Sequence, residues 1–200
     1  QFQSSEKCWR PMIFPLILLF KSSLAIQEIT LSQKKLSLIL DRQEKFFTIP
    51  FSTRKDNEQE MTRNAQEIVA SYESYLSQNP DDTNALILFG KFLRKVGQEE
   101  HAVEFFIQAD KINPKLAVVK QQLANYLVEK GRPIDAFPYY ILTIELNPKE
   151  AFYHFHLGNF LFLFEKELIE NGILNQKSAQ SFMHRSFREA SMLRPNNFEF

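Results

Sequence analysis

The 200-residue chain has one cysteine, one tryptophan, five glycines and no surplus of charge of either sign. A lone cysteine, Cys8, excludes an internal disulfide and a cysteine-rich zinc site. Average usage of about 7% would give roughly 14 glycines. Their depletion argues against a turn-rich all-β chain, a collagen-like chain or a flexible Gly/Ser chain. Lys and Arg total 24, against 24 Asp and Glu, so no global field draws the chain onto nucleic acid or an anionic membrane. Nucleic acid is therefore not expected as a partner. Also missing are a phosphate-cradling glycine loop and a Gly-x-Ser-x-Gly elbow. No catalytic constellation stands out, and no cofactor is implied. His154 and His156 are two apart, so on a helix they point about 200° apart and cannot share a metal. What the chain has in excess is phenylalanine, 20 residues of it, enough to build a core.

The first 25 residues have the pattern of a secretory signal. Met12 to Phe20 is an apolar run preceded by Lys7 and Arg10 and followed by Ser23-Leu24-Ala25. A basic stretch, an apolar run of about 7–15 residues and small residues at a cleavage point make up that pattern. The run is too short to cross a hydrocarbon core that needs about 20 helical residues, so no stable membrane span is expected once it is removed. The implied location is secreted, periplasmic or cell-envelope, with the cytoplasm as the alternative. The chain opens on Gln1 rather than Met, which points to a fragment or to a reading frame taken too far upstream. Across 26–56, two short apolar stretches, Leu36–Leu40 and Phe46–Phe51, flank the polar run Asp41–Lys45. That pattern suggests an irregular segment or a loose hairpin.

From residue 57 the sequence repeats itself. Pro80, Pro114 and Pro148 are 34 residues apart, each after an asparagine, and Arg194-Pro195 follows 47 residues later. Gly90, Ala124 and Gly158 march with the same period, as do Phe89, Leu123, Leu157 and Leu93, Leu127, Leu161. Gly97 pairs with Gly131, Ala102 with Ala136, and Phe106 with Tyr140. A fixed period between 20 and 50 residues is the mark of a stacked-repeat architecture. The slots have a physical reading. Leu86, Phe89 and Leu93 share one helix face, and Gly97 ends that helix in the left-handed conformation. A second helix from about Glu99 to Lys111 presents Ala102, Phe106 and Ala109, and Pro114 closes the unit.

These slots resemble those of tetratricopeptide repeats. The resemblance implies an all-α, right-handed solenoid of helix–turn–helix units. Two units match closely, 83–116 and 117–150. A third, 151–197, opens well, but Glu165 replaces its turn glycine and an insertion of about 166–180 follows. Ile68, Tyr72 and Tyr75 fall on second-helix slots, so 57–82 is expected to be a half-repeat or capping helix. The tail at 198–200 looks like the opening of a further unit. Family members carry a tryptophan in the first helix; Leu86, Lys120 and His154 stand there instead. His154 is thus expected to be a core or rim histidine rather than a ligand.

The resemblance also implies a function: binding a peptide or protein segment in a concave groove lined by the first helices, without catalysis. The residues after the small slot would face the ligand, here Lys91, Asn125 and Asn159, with Arg94, Gln121, Phe155 and Phe162 around them. Some members clamp a chaperone's terminal carboxylate with Lys, Asn, Asn, Lys and Arg. Here Phe162 and Leu163 stand where the distal basic residues would be, so that activity is not expected. Of the five phenylalanines from Phe152 to Phe164, three are expected in the core. The alternative is the non-catalytic repeat region of a larger enzyme, a transferase or a peptidase.

Overall fold

A computed structural model describes residues 30–50 and 57–195. The signal-like segment, residues 51–56 and the 198–200 tail lie outside the described residues. Within them the chain forms helices α1 (Leu31–Thr48), α2 (Glu58–Gln78), α3 (Thr83–Lys95), α4 (Glu99–Ile112), α5 (Ala117–Glu129), α6 (Pro133–Leu146), α7 (Ala151–Glu170) and α8 (Gln176–Leu193). Successive helices pack as antiparallel hairpins, α1 with α2, α3 with α4, α5 with α6 and α7 with α8.

The repeat boundaries have local causes. Asn79, Asn113, Asn147 and Arg194 each precede a proline and each leave helical geometry, with φ between −137° and −145°. The proline ring excludes the α conformation from the residue before it. Inside each unit the turn is made by a left-handed glycine, Gly97 at φ +80° and Gly131 at +67°. The next amide then bonds back across the turn, from Gln98 to the Leu93 carbonyl and from Arg132 to the Leu127 carbonyl, both at 2.8 Å. Asp82 caps α3 by accepting from the Asn84 and Ala85 amides, and it also accepts the Tyr75 hydroxyl at 2.7 Å.

Two expectations need correcting. The hairpin or irregular segment expected across 26–56 is a helix over residues 31–48. Leu36, Ile39, Leu40, Gln43, Phe46 and Phe47 are the less exposed positions, and they recur at three and four residues, the helical period. The short apolar runs hid that period because Leu38, which breaks it, is 67% exposed. As a result α2 is the second helix of a full pair, not a half-repeat. Tyr72 donates to Gln43 Oε1 at 2.8 Å and stacks on Phe89 with centroids 4.9 Å apart. Phe92 meets Phe46 and Phe47, which ties α1 to α3.

The second correction concerns the third unit. Its insertion, expected at about 166–180, is mostly helix. Glu165 is a good helix former where glycine would have stopped the helix, so α7 runs 20 residues where α3 and α5 run 13. Gly172, at φ +71°, then makes the turn, with Ile173 bonding back to the Leu168 carbonyl at 2.9 Å. The longer α7, a five-residue loop and the 18-residue α8 together absorb the 13 extra residues. Leu168 is fully buried, with Leu174 and Met183 packed nearby in the same cluster.

The hairpins of the three repeat units close where an aromatic ring lies on a residue with little or no side chain. A Cβ placed on Gly90 would stand 2.7 Å from Phe106 Cε1, and one on Gly158 would stand 2.7 Å from Phe187 Cε1. Ala124 and Tyr140 hold the same slots in the middle unit, and both are buried. Ala136, also buried, admits the neighbouring helix. Gly90→Leu and Ala136→Leu should each overpack these contacts and lower unfolding free energy by about 1–3 kcal/mol, measurable by thermal or urea denaturation. Melting at the wild-type temperature would contradict the packing register.

Candidate functional site

The 34-residue register brings Lys91, Asn125 and Asn159 to equivalent places on α3, α5 and α7, and all three are half-buried. Their surroundings differ. Lys91 shares a cleft of about 360 Å³ with Arg94, Lys95, Glu99 and Gln122. Burial, then the Lys95 charge, hold the Lys91 ammonium below the usual lysine range. It forms no contact ion pair among the described residues, although Glu99 lines the same cleft. Arg94 is not free in the same way. It donates to Gln122 Oε1 at 2.7 Å and pairs with Glu129, which links α3 to α5. Lys95 lies 4.7 Å over the Phe47 ring.

Asn125 belongs to a small network. Its Oδ1 accepts the Tyr140 hydroxyl at 2.9 Å and the Gln121 side-chain amide at 3.3 Å. Gln121 is only 2% exposed, and its Oε1 finds no partner. Tyr140 is buried, and its hydroxyl pKa is pushed up to about 12, chiefly by burial. The two donors fix the Asn125 carboxamide and leave its Nδ2 without an acceptor among the described residues. The middle of the site is thus a fixed N–H donor, whereas the Asn159 side chain makes no hydrogen bond among the described residues.

The aromatic end divides. Phe160 is buried among Phe137, Tyr140 and Phe164, and Phe155 meets Phe187 of α8 edge-on at 6.2 Å. Phe162 and Leu163 are 68% and 69% exposed, and Phe152 is 46% exposed. Three of the five phenylalanines therefore pack inward, and Phe155 is one of those three rather than an open groove residue. Of the residues expected at the site, Lys91 and Arg94 share one cleft, Gln121 and Asn125 share one network, and Phe162 stands exposed.

His154 is buried, with Nε2 donating to the Pro148 carbonyl at 2.8 Å. Among the described residues no three His, Cys, Asp or Glu side chains come together as a metal would require. None of the described helices is long and apolar enough to cross a membrane. Tyr140 and Gln122 were not legible as site residues. The one signal for Tyr140 was the hydroxyl that distinguishes it from Phe106 in an otherwise apolar slot.

No family model matches the sequence, and no curated protein is significantly similar to it. Solved structures are similar in fold. MamA (residues 41 to the end) from Desulfovibrio magneticus RS-1 superposes with a TM-score of 0.54 at 16% identity, over 80% of this chain and 79% of that one. A double mutant of MamA RS-1 gives 0.53 at 14% identity, over 83% and 98%. A mutant O-GlcNAc transferase from Thermobaculum terrenum gives 0.55 at 17% identity, over 80% of this chain and 27% of that one. At these identities the likeness establishes the fold, a tetratricopeptide-type solenoid.

The two asparagines should differ in stability. Asn125→Ala strands the buried Tyr140 hydroxyl and should cost about 1–3 kcal/mol, whereas Asn159→Ala should be close to neutral. Equal urea midpoints for the two variants would contradict the Tyr140–Asn125 bond.

Proposed function

For a chain with this tetratricopeptide-type solenoid fold, we propose a non-enzymatic role in protein interaction, in which an extended peptide or protein segment lies along the first helices at Lys91, Asn125 and Asn159. The observation that carries it is Asn125, whose Oδ1 is occupied by Tyr140 and Gln121 and whose Nδ2 donates to no acceptor among the described residues. A carboxamide held this way is prepared to donate to a ligand carbonyl. Lys91, with Arg94 and Lys95 in the same cleft, supplies positive charge at one end, which favours an acidic group on the ligand. Phe162, beside Leu163, supplies apolar surface at the other. Arg94 acts by bracing α3 against α5, Gln121 by orienting Asn125, and Phe155 by holding α7 on α8. The apolar run at 12–20 and its basic flank support a location in the cell envelope or outside the cell.

A second reading, the repeat region of a larger enzyme, is supported by the likeness to the O-GlcNAc transferase, of which this chain spans only about a quarter. A catalytic domain encoded on the same chain would favour it.

A partner recovered from the native envelope should bind Asn159→Ala roughly two- to tenfold more weakly, as expected for one lost hydrogen bond of about 0.5–1.5 kcal/mol. Lys91→Glu should weaken it further, by a margin that shrinks with added salt. Full affinity in a folded chain carrying both Asn159→Ala and Lys91→Glu would move the site elsewhere. For export, a reporter fused to residues 1–30 in a bacterial host should leave the cytoplasm and be cut near Ala25; an uncut cytoplasmic reporter would contradict this location.

A further inference from the structure

We propose that the cleft between α1 and α2 is a second binding site, one that takes an acidic peptide segment with two carboxylates about three residues apart. None of the groove side chains lines it. The two helices run antiparallel and are joined along one margin by side-chain bonds. Ser32 donates to Asn79 at 3.1 Å, Lys35 to Gln78 at 3.0 Å, and Arg42 to Ser71 at 3.2 Å. Between the Lys35 and Arg42 rungs no bond crosses, and a cleft of about 430 Å³ opens there. The gap exists because α2 offers only small side chains at Ala70, Ser71 and Ser74. Leu38 and Ile39 border the same cleft from α1.

The charges around this cleft are of one sign. Lys35 and Arg42 both line it, and among the described residues no carboxylate does. Both cations rest on neutral acceptors, the Gln78 amide and the Ser71 hydroxyl. Neither forms an ion pair among the described residues. Glu67 lies in the neighbouring cleft on the other flank of Arg42, and it is paired with Arg63 at 3.2 Å. Asp41 and Glu44 line a separate cleft with Lys45. In a chain of zero net charge, two unpaired cations bordering one cavity are a local field for an anion.

The spacing selects the anion. Residues seven apart on a helix stand about 10.5 Å apart along its axis. A polyproline II segment has three residues per turn and rises about 3.1 Å per residue, so acids three residues apart lie on one face, about 9 Å from each other. The side chain between them would then lie over Leu38, Ile39 and Ala70. A single inorganic anion is too small to meet both cations and makes no use of the apolar strip between them. A peptide segment uses all three features. The site is independent of the groove on the first helices.

The test is a fluorescence-anisotropy titration of the full chain with a labelled, acetylated and amidated peptide, Ala-Asp-Leu-Leu-Asp-Ala. Saturable binding is expected, and the same peptide with Asn in place of both Asp should not bind. The Lys35→Gln, Arg42→Gln double variant should keep its helical circular dichroism and bind roughly fivefold more weakly, as expected for two exposed ion pairs. Absence of saturable binding, or unchanged affinity in the folded double variant, would each overturn the proposal. Displacement of the peptide by equimolar inorganic phosphate would do the same, since it would remove the two-point recognition.

Discussion

The whole solenoid depends on how closely two helices of one hairpin can approach, and that is set by a ring against a missing side chain. Phe106 covers Gly90 and Phe187 covers Gly158, each at a distance that leaves no room for a Cβ. Close packing of this kind leaves no slack to absorb an added methylene, so the contact fixes both the separation of the helices and their register. Once the register is fixed, residues 34 apart on successive first helices take equivalent places. The grouping of Lys91, Asn125 and Asn159 is therefore a consequence of packing in the hairpins behind them.

The middle unit shows how packing and site chemistry share a residue. Tyr140 fills the slot that Phe106 fills in the preceding unit, and its ring lies 4.7 Å from Phe160 of the next helix pair. Its hydroxyl is the extra atom, and buried hydroxyls must find partners. The partner is Asn125 Oδ1. An aromatic chosen for core volume thus orients a side chain on the row of first helices, and the orienting bond cannot be lost without burying an unpaired polar group.

How much of this was legible depended on what sets each feature. The period was plain because its slots are packing slots, where Gly90, Phe106, Gly97 and Pro114 have few substitutes. The helical identity of 31–48 was hidden because its apolar residues cluster into runs, and only burial separates Ile39 from exposed Leu38. The third unit was half-legible: loss of the turn glycine at Glu165 was visible, but not that the helix would continue to the next glycine, Gly172. Asn125 and Asn159 look identical in sequence. Their difference comes from Tyr140 and Gln121, which are contacts in space that no periodicity encodes.

The slots that lack the expected tryptophan complete the argument. Leu86 fills the first by simple burial, but Lys120 and His154 are polar groups in buried positions and need partners. Lys120 finds Asp110, near the end of α4, at 2.7 Å, and His154 finds the Pro148 carbonyl between α6 and α7. Each bond reaches back to the end of the preceding unit. A buried ion pair of this type adds little net stability, but removing one partner leaves a charge without compensation, so the pair penalises any shift of one unit against the next. The polar substitutions therefore turn a packing slot into a fastening between units, and that fastening keeps the first helices of adjacent units aligned.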